Sequence, residues 1–354
     1  MRRSSGSIPN PRPALLLSLC LALFSFAGVW PCAAQDTPLL SGGMGFLTKT
    51  NAGATSYQPI IEPLAAAPIG QHFLVETRGA ILESFSPKGG NQPGYNHSHF
   101  AAMTYLQGDY LASSHLTVVG GSFLTPFATY NERLSPVWIS NFQDGPLIAG
   151  LGLMSTGVGV GGELRGSAYS NDNVAIDYTG YFSARSANKQ FASDRSTGMR
   201  LNLYAKKVGL EVGTSYGRLL QGTQENFYGT HLWWRPLNTA FQFRSEYARG
   251  KHAQGYWFEA SYRTKAFGGL DSWVGRFEPL FRMQQVLRID KAASDGVAGV
   301  GTQRVDFGLD YNFSHNTRIL TSYSRQFAST GNKNIWETGI TYRFLFPAWR
   351  GKSK

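Results

Sequence analysis

Ten residues, Arg304 to Phe313, read Arg-Val-Asp-Phe-Gly-Leu-Asp-Tyr-Asn-Phe. Successive side chains of a strand point to opposite faces. Arg304, Asp306, Gly308, Asp310 and Asn312 therefore share one face, and Val305, Phe307, Leu309, Tyr311 and Phe313 share the other. About ten residues is also the length of a tilted strand that crosses a bilayer. A soluble sandwich would turn the aromatic face to a core. A membrane barrel turns it to lipid and the polar face to a lumen. The number of such strands and the character of the N-terminus separate the two.

The chain opens with Arg2, Arg3 and Arg12, an apolar run from Ala14 to Val29, and then Pro31-Cys32-Ala33-Ala34-Gln35. A basic start, an apolar middle and small residues before a cut describe a secretory leader, residues 1–34. The run is shorter than the ~18 residues that an uncleaved spanning anchor needs. Cys20 and Cys32 are the chain's two cysteines and both fall in this leader, so disulfides contribute nothing beyond it. Losing three arginines with the leader lowers the formal charge from +11 to +8. Export makes nucleic acid a poor partner for that basic surplus and leaves acidic surfaces or anionic solutes. Past residue 34, no apolar run approaches the length of a spanning helix, so a membrane location requires a closed barrel that pairs every backbone polar group. The 41 glycines and the aromatic share of 14%, close to the charged share of 16%, suit many strands and tight turns better than helices.

Residues 35–70 lack period and contain Gly42-Gly43, Pro59, Pro63 and Pro68, which reads as a periplasmic lead-in. Alternation begins at His72 and continues through Phe100–Ala112 and Leu116–Phe123. It resumes at Val158 and runs almost without interruption to the last strand, where Trp336, Ile340, Tyr342, Phe344 and Phe346 oppose Glu337, Gly339, Thr341 and Arg343. The pattern predicts an all-β, antiparallel transmembrane barrel over residues 71–346, with about 14–16 strands and a basic tail at 347–354. Strands beyond fourteen have room before His72 or between Pro126 and Gly157. A spacing of about twenty residues per strand fits spans with alternating turns and loops, whereas soluble β arrays repeat about every 8–12. Aromatic ends on the apolar faces match interfacial girdles.

From Gly120 to Leu147 the period-2 pattern breaks for about thirty residues, and loops of that length are functional or disordered. Phe127, Tyr130, Trp138 and Phe142 argue for order. The strand end Gly121-Ser122-Phe123-Leu124-Thr125-Pro126-Phe127-Ala128, followed by Tyr130-Asn131-Glu132-Arg133 and Pro136, resembles the porin families related to the phosphate-selective porins O and P. There a Gly-x-Phe-x-Thr-Pro-Phe-Gly-like turn closes a strand; here Ala128 replaces the final glycine. The resemblance implies a trimeric bacterial outer-membrane porin narrowed by an inward-folded loop. Glu132, Arg133 and Asp144 are then the candidate constriction residues.

On the polar faces, Arg200, Arg244, Arg263, Arg276, Arg282 and Arg304 are the candidate pore-lining bases. Acidic residues nearly balance the basic ones, many two apart on one strand (Arg244/Glu246, Arg276/Glu278, Arg304/Asp306), so the wall reads as charge-laced rather than as a dedicated anion filter. Asn96-His97-Ser98-His99 puts two imidazoles on one face with no third ligand within sequence reach, which reads as the polar start of a strand. No phosphate loop, zinc-protease motif or dinucleotide fingerprint occurs. The expectation is a non-enzymatic, cofactor-free porin passing small polar solutes with mild anion preference, its partners outer-membrane lipid and further copies of itself. A non-conducting structural or adhesion barrel, or a phosphate- or anion-specific channel, is the alternative.

Overall fold

The computed structural model describes residues 38–347, apart from 90, 91, 155, 189, 223, 270, 271 and 291–294. The proposed leader and the 348–354 part of the tail lie outside the described residues. Sixteen antiparallel strands form a closed barrel in which each strand pairs with its sequence neighbours and β1 pairs with β16. The first quarter is β1 (Leu39–Asn51), β2 (Ala54–Ile69), β3 (Phe73–Pro87) and β4 (Tyr95–Ser113). Next come β5 (Leu116–Leu124), β6 (Val158–Ser170), β7 (Val174–Ala184) and β8 (Ser196–Ala205). The third group is β9 (Leu210–Leu219), β10 (Asn226–Trp234), β11 (Phe241–Arg249) and β12 (Ala253–Tyr262). The circuit closes with β13 (Phe277–Arg288), β14 (Thr302–Asn312), β15 (Thr317–Ala328) and β16 (Lys333–Pro347).

Strand β14 is two-faced as its sequence dictates. Phe307 and Leu309 are 58% and 46% exposed on the outside, while Arg304, Asp306 and Asp310 are buried inside; Phe313, just past the strand, is 61% exposed. The expected lead-in at 35–70 is corrected: it holds β1 and β2, which close the barrel. The prolines that made this segment look irregular are absorbed locally. The β1–β2 register is continuous, but β2–β3 pairing skips from Tyr57 to Ile60 and from Ile61 to Leu64, at Pro59 and Pro63. Proline has no N–H for the ladder, so the two sit where the β3 side of the ladder is open.

Because β1 begins where β16 ends, both meet at what is here called the terminal rim. The segment from Thr125 to Gly157 leaves β5 at the opposite rim and folds into the lumen. It contains a π-helical turn, Tyr130–Leu134, and a short helix α1, Ala149–Leu153. Phe127, Ala128, Leu134, Ile148, Leu151 and Met154 pack with Phe227, Ala248, Ala253, Trp257 and Val286 of the wall. The barrel thus has an apolar core inside its lumen, against β10–β13. Burying each large side chain of that core stabilises the fold by about 1.5–3 kcal/mol.

Candidate functional site

The inserted segment is tied to most of the wall by groups the strands turn inward. At its start, Ala128 N–H donates to Ser215 Oγ at 3.0 Å. The Thr129 and Tyr130 N–H groups and the Thr129 hydroxyl all donate to one Glu246 oxygen, at 3.2, 3.3 and 3.1 Å. Three donors on one buried carboxylate satisfy backbone groups that strands or water would otherwise have to satisfy. Ala128 adopts φ 52°, the left-handed region, which explains why the related turn favours glycine here.

Farther along, Glu132 bonds Arg200, and Arg133 makes a two-pronged pair with Glu211 while lying 4.4 Å over the Trp233 ring. Val137 N–H donates to Glu62 at 2.7 Å, and Arg78 donates to Ser135 Oγ at 3.4 Å. Asn141 Nδ2 donates to Glu259 at 2.8 Å. Asp144 bonds Lys49 and, at 2.7 Å, Arg304, and its carbonyl accepts from Arg282 at 3.0 Å. Leu147 N–H donates to Gln284 at 2.7 Å. Burial works to raise the Asp144 carboxyl, but its hydrogen bond with Glu337 and the charges of Lys49 and Arg304 overcome this and hold its pKa below the usual aspartate range.

All three candidate constriction residues therefore belong to the inserted segment and engage the wall. Three of the six candidate pore-lining arginines, Arg244, Arg282 and Arg304, are buried beneath that segment or beside it, and Arg200, half-buried, is held there by Glu132. Arg282 pairs with Asp306 at 2.8 Å and lies 4.3 Å over the Phe142 ring; Arg304 also reaches Asp306, at 2.5 Å. Arg263, just past β12, pairs with Glu278 at 2.9 Å near the terminal rim. Arg276 is corrected. The alternation carried β13 back to Trp273, but a 3-10 turn, Val274–Arg276, precedes the strand, so Arg276 stands at the rim and not on the wall.

Of the oppositely charged residues two apart on one strand, Arg304 bonds Asp306, whereas Arg244 does not bond Glu246. Arg244 bonds Glu259, its directly opposite partner on β12, which leaves Glu246 to receive the inserted segment. Cross-strand register, invisible to a one-strand reading, decided the pairing.

Open space remains on the other side of the lumen. A cavity of about 300 Å³ lies between Glu132, Pro136, Trp138 and Ile139 of the segment and a wall built by β1–β6 and β16. Glu76, Arg78, Gln107, Glu163, Arg165 and Arg343 line it. Arg165 pairs with Asp109 at 2.6 Å and approaches Glu163 at 3.9 Å, so both signs of charge face this space. Alternation along β6 puts Glu163 and Arg165 on one face, whereas no such pattern marks Lys49 and Glu62, which stand among the prolines and glycines of β1 and β2.

The two imidazoles also gained a neighbour. Register brings Glu83 of β3 opposite His99, and both His97 and His99 bond its carboxylate. They bind its two separate oxygens, and among the described residues no group of three is arranged to hold a metal.

No protein-family profile and no curated protein matches the sequence. Solved structures match the fold. OmpF of Salmonella typhi, in complex with daunomycin, is similar with a TM-score of 0.57 at 13% identity, over 87% of this chain and 98% of that one. The outer membrane protein OmpT of Vibrio cholerae gives 0.55 at 10%, over 89% and 100%. The anion-selective porin from Comamonas acidovorans gives 0.54 at 11%, over 88% and 99%. The chain has the fold of these outer-membrane barrels.

Proposed function

We propose that this protein is an outer-membrane porin that passes small polar solutes by diffusion, with a mild preference for anions. The observation that carries this reading is the charged cavity left between the inserted segment and the β1–β6 wall. A structural barrel has no use for such a space, whereas a porin needs a wet, polar gap narrower than the barrel. Outside, exposed Phe307, Trp336, Ile340 and Phe346 suit lipid. Arg78, Arg165 and Arg343 line the gap together with Glu76, Glu132 and Glu163, so its lining is close to neutral. The anion preference then comes from the basic surplus of the whole chain, acting at the mouths. A homotrimer is proposed as well; the Vibrio cholerae protein OmpT, whose fold this chain shares, has been solved in a trimer form.

A second reading has its own support. The inserted segment touches β1, β2 and β3 as well as β8 to β15, enough contact for a plug in a non-conducting barrel. Planar-bilayer recording of the purified protein decides between them. Discrete, ohmic channel openings are expected. A folded, heat-modifiable protein that inserts without conducting would establish the plugged barrel instead.

A further inference from the structure

The cavity between the inserted segment and the β1–β6 wall is lined by six charged residues, and four of them are already engaged. Glu132 bonds Arg200. Arg165 pairs with Asp109 at 2.6 Å and draws the buried Glu163 to 3.9 Å. Arg78 is buried and donates to Ser135 Oγ. Glu76 and Arg343 are left over. Among the described residues neither side chain makes an ion pair or a hydrogen bond, and both border the cavity, Glu76 half-buried and Arg343 exposed.

Register explains why these two opposite charges do not meet. Glu76 of β3 stands opposite Ala66, Ala66 opposite Leu39, and Leu39 opposite Pro347, four residues beyond Arg343 on β16. Three strand spacings of about 4.8 Å and four residues of about 3.4 Å put their Cα atoms about 20 Å apart along the wall. The side chains do not span that distance, and the space between them holds one small molecule. Arg343 itself lies opposite Gly43, over which Trp138 of the inserted segment packs, so the ring borders the basic end.

We propose that this cavity is a passage site for small zwitterions, amino acids by chemical class, with Arg343 taking the carboxylate and Glu76 the ammonium group. A guanidinium presents a planar fork matched to two carboxylate oxygens, and a carboxylate accepts the N–H bonds of an ammonium. A simple anion gains from Arg343 and is repelled by Glu76; a simple cation meets the reverse. A solute with both charges satisfies both ends and leaves the near-neutral lining unchanged in net charge. Walls of low dielectric focus the field between the two ends. The inference rests on the porin reading and names a solute class for it.

Swelling of proteoliposomes that carry the full-length protein tests the site, with L-threonine as the zwitterion and erythritol as an uncharged solute of similar size. Wild type is expected to admit threonine about threefold faster than erythritol, a factor within the range of one net hydrogen bond. In Arg343→Gln and in Glu76→Gln that advantage should disappear while erythritol entry stays as in wild type. In a KCl gradient, Arg343→Gln should move the reversal potential toward cations and Glu76→Gln toward anions, a readout that a merely structural role would not shift. Neither side chain fastens the fold, and heat-modifiable gel migration checks each variant; if one does not fold, the other carries the test. Equal entry of the two solutes through wild type, or an unchanged advantage in the folded variants, overturns the site and leaves the porin reading standing. Entry of neither solute removes the porin reading, and the passage site with it.

Discussion

Trp138 of the inserted segment packs into a socket left by Gly43 of β1, where an added Cβ would stand 2.5 Å from Trp138 Cε3. The same device recurs across the lumen, where Gly255 of β12 leaves 2.4 Å for Ile148 Cγ2. Missing side chains on the wall are thus the shape against which the segment is held. A Gly43→Val substitution, on a strand where β-branched residues are otherwise favoured, should expel Trp138 from its socket. Since Trp138 borders the cavity, the expected outcome is a change in single-channel conductance with assembly intact on heat-modifiable gels. Unchanged conductance would mean that Trp138 does not border the conducting path.

Much of the architecture was legible because lipid and lumen impose opposite chemistries on alternate residues, as in β14 and β16. Less was legible where that alternation yields to backbone or to register. Pro59 and Pro63 disguise β2, since a strand missing two ladder donors looks like a loop until its pairing with β3 is seen to skip them. At the site, a sequence shows that Arg244 and Glu246 face inward but not that Glu259 lies opposite Arg244. It shows Glu132, Arg133 and Asp144 in a long irregular stretch, but not their partners on β8, β9, β1 and β14.

Asp144 makes the fastening of the segment pH-sensitive in a defined direction. Its folded pKa is depressed, so the stabilisation it contributes is fully present above the ordinary aspartate pKa of about 3.9 and is lost as pH falls through the folded value. The contribution of Asp144 should therefore stay intact from neutral pH down to about pH 4. Conductance should rise only below that, as protonation releases Lys49 and Arg304. Asp144→Asn should show the raised conductance already at neutral pH and lose the acid-induced step. A step in wild type centred near pH 6 would assign the response to another group.

Deleting Asn131–Asn141 removes Glu132, Arg133, Val137 and Trp138 together, and with them the contacts to β8, β9, β2 and β1. The core formed by Phe127, Ile148 and Leu151 lies outside the deletion. The barrel should assemble and conduct severalfold more than wild type in bilayer recordings. An unchanged conductance from well-folded protein would move the narrowest point away from this segment.

Arg133 and Arg304 separate selectivity from stability. The Arg133 side chain is 38% exposed and holds Glu211, whereas that of Arg304 is 3% exposed among Asp144, Asp306 and Glu337. A glutamate in place of Arg133 would put two carboxylates beside water in the lumen, where a fixed charge acts on ions within a Debye length of about 10 Å at 0.1 M salt. The reversal potential in a tenfold KCl gradient should move toward cations. A glutamate in place of Arg304 would add a fourth carboxylate beside Asp144, Asp306 and Glu337 and leave them only Lys49 and Arg282 as counter-charges, and breaking such a buried pair costs about 3–5 kcal/mol. Its expected signature is a lower temperature for the heat-modifiable gel shift, with a smaller movement of the reversal potential, because the new charge is walled off from the ions and favours protonation. Equal movements for the two variants, both folded, would place Arg304 in the conducting path and Arg133 outside it.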